Sequence, residues 1–149
     1  MKKIIAYLIF IGFLLAGLLT YHYHPSFPTW LKEYSLIYLC IIMGGLGGIV
    51  YCLRGVYLNA CVKKTWDKEW HPWYYIRPLV SLVCGGISYL FLKAGLLVLE
   101  SNQSVDSSNL GFLALAFIAG LNVDKFISKI EDVAQAAWGI EKSRASKGD

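Results

Sequence analysis

The sequence has 149 residues, 56% of them apolar and only 16% charged, with a formal net charge of +4. That length suits one domain of ordinary size, while the apolar excess excludes a disordered chain and departs from the balance of a water-soluble domain. The apolar residues are gathered into long blocks with charged or aromatic borders, which is the pattern of membrane spans. The predicted fold class is therefore all-α, an integral membrane protein with four transmembrane helices and a C-terminal amphipathic cytoplasmic helix.

The first block, residues 4–20, follows Lys2 and Lys3 and has the flanking charge of a secretory signal. Its apolar core is longer than a signal's, and the TYHYHP after it offers no small-x-small cleavage motif. It reads as an uncleaved signal anchor and first span. The second predicted span, residues 35–53, runs through GGLGGIVYCL and spends four positions on glycine, a residue that weakens a helix in water by about 1 kcal/mol. In lipid no hydrophobic effect drives helices together, and small residues let backbones approach. Cys40, Gly44, Gly48 and Cys52 recur at every fourth position and predict a helix-packing stripe, which serves either within one subunit or between subunits.

Residues 54–75 form a basic, aromatic segment. Arg54, Lys63, Lys64, Trp66, Lys68 and Trp70, with Arg77 just beyond, are candidate contacts for something on the cytoplasmic side. Cations interleaved with indole and phenol rings suit a nucleotide or single-stranded oligonucleotide, phosphate on cation and base on ring. The same composition suits an inner-leaflet border against lipid phosphates. No duplex-reading motif is present.

The third predicted span, residues 76–99, places Cys84, Ser88 and Gly95 near one face, roughly in line with Arg77 and Ser81. Lys93 and Glu100 share nearly one face. Lys93 either snorkels to the outer interface or faces a water-filled lumen, which makes Ser88 and Lys93 candidate pore-lining residues. The fourth predicted span, residues 109–122, contains the 12-residue run Leu110–Leu121, about 18 Å of helix. It crosses only if the helix continues past Asn122 with its polar side chains on protein or water; a re-entrant or surface-lying helix is the rival. Ala116 and Gly120 are its small packing residues, and Asn122 and Asp124 would line the inner mouth of a pore.

Residues 123–142 carry a heptad pattern, with Val123, Ile130 and Ala137 at one apolar position and Phe126, Val133 and Ile140 at the other. This predicts either self-association, with Phe126, Ile130, Val133, Ala137 and Ile140 as candidate oligomerisation residues, or a helix lying on the inner leaflet. Residues 143–149 read as a disordered tail. Lys and Arg concentrate at the N-terminus, in 54–77 and after residue 125, while the two other connections hold a single Lys32. By the positive-inside rule both termini are cytoplasmic and the parity requires four crossings, as expected of a multi-pass inner-membrane protein.

Enzymatic signatures are missing from the sequence. His22, His24 and His71 lack zinc spacing, Cys40, Cys52, Cys61 and Cys84 form no CxxC, and no phosphate loop or nucleophile elbow is present. The expectation is a non-enzyme without metal or cofactor.

YYIRP opening the third span, GGxxY within it, AGL near its end and AFIAGL before the amphipathic segment together resemble small bacterial four-span membrane effectors of anti-phage defence. The resemblance covers residues 73–140. It implies an oligomeric channel opened by a nucleotide or oligonucleotide. The expected function is thus a homo-oligomeric pore in the lipid bilayer, gated from the cytoplasmic side by such a ligand or by a partner protein. The alternatives are a non-conducting anchor subunit and a holin-like pore former.

Overall fold

The computed structural model describes residues 1–64, 66–95 and 105–141, without the side chains of Lys68 and of residues 105–108. Glu100 and the expected tail at 143–149 lie outside the described residues, as do residues 96–99 of the third expected span. All regular structure among the described residues is helical: α1 (Lys2–His22), a single turn α2 (Thr29–Lys32), α3 (Ser35–Tyr57), α4 (His71–Lys93), α5 (Val105–Leu121) and α6 (Val123–Trp138). A π-helical turn at Leu58–Val62 prolongs α3, and a 3₁₀ turn at Lys68–Trp70 leads into α4.

Three of these, α1, α3 with its π turn, and α4, are long and apolar enough to cross a membrane. Residues Asn109–Leu121 and Val123–Trp138 match a fourth crossing only as a pair bent by 112°. Helix α4 starts at His71, five residues ahead of the expected 76, because Pro72 falls in the first turn, where no backbone donor is needed. Its described end is Lys93, after which Gly95 takes a left-handed φ of +72° that stops the helix.

Helix α3 is the centre of the bundle, packed against α1, α4 and α5. Helix α1 buries one face, Ile4, Leu8 and Leu15, and turns the other outward, with Phe10 66% and Phe13 75% exposed. An apolar face of that extent marks a surface for contact with lipid or with another protein.

Closest approach occurs where α3 meets α4 and α5. A Cβ at Gly44 would lie 2.6 Å from the Gly85 Cα, and one at Gly120 would overlap the Gly44 carbonyl and lie 2.8 Å from its Cα. Gly47 meets the Phe117 carbonyl in the same way. Cys40, Cys52 and Ala116 are fully buried beside these contacts. Ser81, also fully buried, sits where the three helices cross. Its hydroxyl lies 2.9 Å from the Arg77 carbonyl and 3.0 Å from the Gly120 carbonyl, so one proton serves an intrahelical and an interhelical acceptor.

These contacts also fix heights. Gly44 and Gly47 lie near the middle of α3 and Ser81 near the middle of α4, yet they meet Gly120 and Leu121 at the very end of α5. Helix α5 therefore stops halfway along the bundle. After Asn122 the chain turns, and Val123, Phe126 and Ile130 of α6 pack with Val80, Cys84 and Ile87 of α4.

Two alanine substitutions separate contact from mere glycine content. Gly120→Ala should lower the thermal midpoint in detergent, by the equivalent of about 2 kcal/mol or more, because a backbone carbonyl stands in the way. Gly17→Ala, with nothing within 4 Å of its Cβ position, should leave the midpoint unchanged or slightly raised.

Candidate functional site

Arg77 stands one turn before Ser81 on the buried face of α4 and is only 5% exposed. A guanidinium cannot shed its charge in a protein, so its burial has to be compensated by partners. Nη1 donates to both oxygens of Asp124, at 3.1 and 3.0 Å. The guanidinium carbon also lies 4.8 Å from the Tyr51 ring centroid and 5.2 Å from that of Trp73, so two aromatic faces share the cation. Nε and Nη2 are buried without a hydrogen-bond partner among the described residues. Asp124, by contrast, is 77% exposed at its side chain and sits in the first turn of α6, where the helix dipole favours a carboxylate. The pair is thus half-embedded: a buried cation held by an open anion.

Beside Arg77 the end of α3 and the start of α4 diverge around a cleft of about 310 Å³ that shares the Tyr51 and Trp73 rings. Tyr51, Trp70, Trp73 and Tyr74 supply its rings, Arg54 and Lys63 its cations, and Gly55, Leu58 and Asn59 complete the lining. Gly55 leaves room at the floor, since a Cβ there would lie 3.2 Å from the Tyr74 hydroxyl. Asn59 Nδ2 donates to that hydroxyl at 3.3 Å, tying the π turn to α4. Among the described residues no carboxylate belongs to the lining, so the cleft is electropositive and aromatic together. Such a surface can take an anion on its cations and a flat apolar group on its rings.

Of the cytoplasmic candidates, Arg54, Lys63 and Trp70 come together in this cleft, and Arg77 touches its Tyr51 and Trp73 rings without belonging to the lining. Trp66 packs instead on Tyr74, with ring centroids 5.5 Å apart, and Lys64 is exposed outside the lining. The Lys68 side chain is outside the described residues. Ser88 is fully buried and bonds back to the Gly85 carbonyl at 2.7 Å, so within one protomer it meets no water. Lys93 is exposed at the end of α4 and donates to the Tyr89 hydroxyl at 3.0 Å. Asn122 and Lys125 border a second hollow of about 250 Å³ with Ile118, Ala119 and Phe126. Phe126 is buried within the protomer, Ile130 and Val133 are half-buried, and Ala137 and Ile140 are exposed.

Sequence reasoning did not pair Arg77 with Asp124, 47 residues away, nor single out Tyr51, Asn59 and Trp73 as cleft residues. The usable signal was an arginine and an aspartate each bordering apolar helix, since ionised groups in such settings find one another. Among the described residues no three His, Cys, Asp or Glu side chains form a metal-binding group.

Asp124→Asn should strand the buried guanidinium and lower stability in detergent by about 1–3 kcal/mol. Adding Arg77→Met should recover part of that loss, read as a thermal midpoint above that of Asp124→Asn alone. No family model, curated protein or solved structure matches this chain, and the chemistry of the site rests on its own residues.

Proposed function

We propose that the chain is a multi-pass protein of a bacterial inner membrane whose copies assemble into an ion-conducting pore, controlled from the cytoplasmic face that carries Arg54 and Lys63. The observation that supports this best is the height of α6. If α3 and α4 cross the bilayer, α5 ends near its midplane, and Asp124, Lys125 and Lys129 follow immediately on exposed positions. Each charge facing lipid at that depth costs about 2.5–3.5 kcal/mol on insertion scales. Water or another protein surface relieves that cost; lipid does not. The interior of one protomer is closed by the glycine contacts of α3, α4 and α5, so the water-filled space lies between copies, lined by the polar side of α6. The 112° bend turns α6 past the perpendicular to α5, so the pair borders the cavity either as a broken fourth crossing completed beyond α6, the arrangement proposed here, or as a re-entrant pair.

Both termini face the cytoplasm on this reading, since Lys142, Arg144 and Lys147 follow α6. The resemblance of residues 73–140 to defence effectors suggests a nucleotide-type opening signal. A second reading, a non-conducting anchor, draws on the exposed apolar residues Trp138 and Ile140, 62% and 58% exposed, which a partner protein would cover.

Liposomes containing only this protein test the pore. Ion flux should appear, in the absence or presence of added cytosolic nucleotides, and Asp124→Asn or Lys125→Glu should change its ion preference. A tight bilayer under both conditions would leave the anchor. Labelling of a cysteine introduced near residue 146 from the cytoplasmic side alone is the expected topology result.

A further inference from the structure

The cleft between α3 and α4 has the makings of a ligand site, and three features of it act together. Its two cations lie on one continuous stretch, Arg54 in α3 and Lys63 just past the π turn that prolongs it, and they line the same cleft as the rings of Trp70, Trp73 and Tyr74. Its walls are four aromatic rings, one of them, Tyr74, only 1% exposed and fixed by Asn59. Asp67 accepts from the Glu69 backbone N–H at 3.2 Å, and neither carboxylate joins the lining. Arg77, paired with Asp124, touches the ring faces of Tyr51 and Trp73 without belonging to the lining itself. Two adjacent cations without a carboxylate select a multiply charged oxyanion, and phosphate esters are the ones that carry an apolar or planar group alongside. A volume of about 310 Å³ holds one phosphoryl group and one ring-sized moiety, at the small end of ligand sites.

We propose that this cleft binds a phosphate ester, its phosphoryl oxygens between Arg54 and Lys63 and its attached group against Trp70, Trp73 and Tyr51. The ester comes either from a soluble nucleotide, whose base stacks on the rings, or from the headgroup of an anionic phospholipid in the adjoining leaflet. The proposal rests on the reading above only in placing this end of the bundle at the cytoplasmic face.

The test is equilibrium binding to the full chain in nanodiscs, followed by tryptophan fluorescence, with Trp70→Phe to assign the signal. In phosphatidylcholine alone, adenosine 5′-monophosphate should give a saturable change that weakens with salt. The paired exposed substitutions Arg54→Gln and Lys63→Gln should weaken it by at least about tenfold with an unchanged thermal midpoint. Gly55→Val, which fills the floor and keeps both cations, should weaken it as well. If the source is lipid, nanodiscs containing phosphatidylglycerol should shift the fluorescence by themselves and suppress the nucleotide titration, both effects vanishing in the double variant. No response to adenosine monophosphate, inorganic phosphate or phosphatidylglycerol would overturn the proposal, and so would responses that persist in the double variant. Because binding is read without ion flux, a failed pore leaves this result standing, and failed binding in a conducting protein removes the cleft alone.

Discussion

The contact on which the molecule depends is backbone against backbone, where Gly44 meets Gly85 on one side and Gly120 on the other. A glycine in a helix interior loses about 0.5–1 kcal/mol in water relative to alanine, and α3 carries four within five positions. No soluble helix gains by such a run. The gain lies in proximity: with the side chains gone, α3 lies close enough to α4 and α5 for dispersion contacts along the whole crossing and for Ser81 to reach the Gly120 carbonyl. Such a run suits helices that are long and apolar enough to cross a membrane, as α3 and α4 are, and the open phenylalanines of α1 fit that setting.

That crossing determines the rest of the chain path. Because α5 docks through Gly120, its last residue but one, it stops at half height, and α6 begins where Arg77 can take hold of Asp124. The buried arginine is then less an isolated burden than a clamp across the 112° bend, with Val123 and Phe126 packed against α4 on the same side. Alone, either part would be weak: an ion pair with one open partner contributes little, and two apolar residues do not hold a 16-residue helix. Together they fix the one element whose polar residues could not face lipid.

What could be read without coordinates follows the range of the interactions. The apolar runs of α1, α3 and α4 announce themselves because spans are a local property of composition. The four-residue spacing of Cys40, Gly44, Gly48 and Cys52 is local too, and those residues lie at the crossing. Helix α4 reaches back to His71, ahead of the apolar run that starts at 76, so Trp73, Tyr74 and Tyr75 are an aromatic border in composition and helical in structure. The 12-residue run before Asn122 looked too short to cross, and its shortness matches a helix that ends midway. Its direction after Asn122 is not local information, because the heptad pattern of α6 is the same whether it continues straight or bends. The Arg77 and Asp124 contact, across 47 residues, leaves no period at all. Likewise Arg54, Lys63 and Trp70 stood out as basic and aromatic, whereas Tyr51 and Asn59 became cleft residues only through the divergence of α3 from α4.

Tyr51 and Trp73 are the link between the two halves of the site, since each has one role in the cleft wall and another against the Arg77 guanidinium. A cation held by ring faces is sensitive to what lies on the far side of those rings, because a bound anion or a stacked base changes both their position and the local field. Arg77 answers to a second element at the same time through Asp124. One buried guanidinium thus joins the ring wall of the cleft to the first turn of α6, with its Nε and Nη2 left without a hydrogen-bond partner among the described residues.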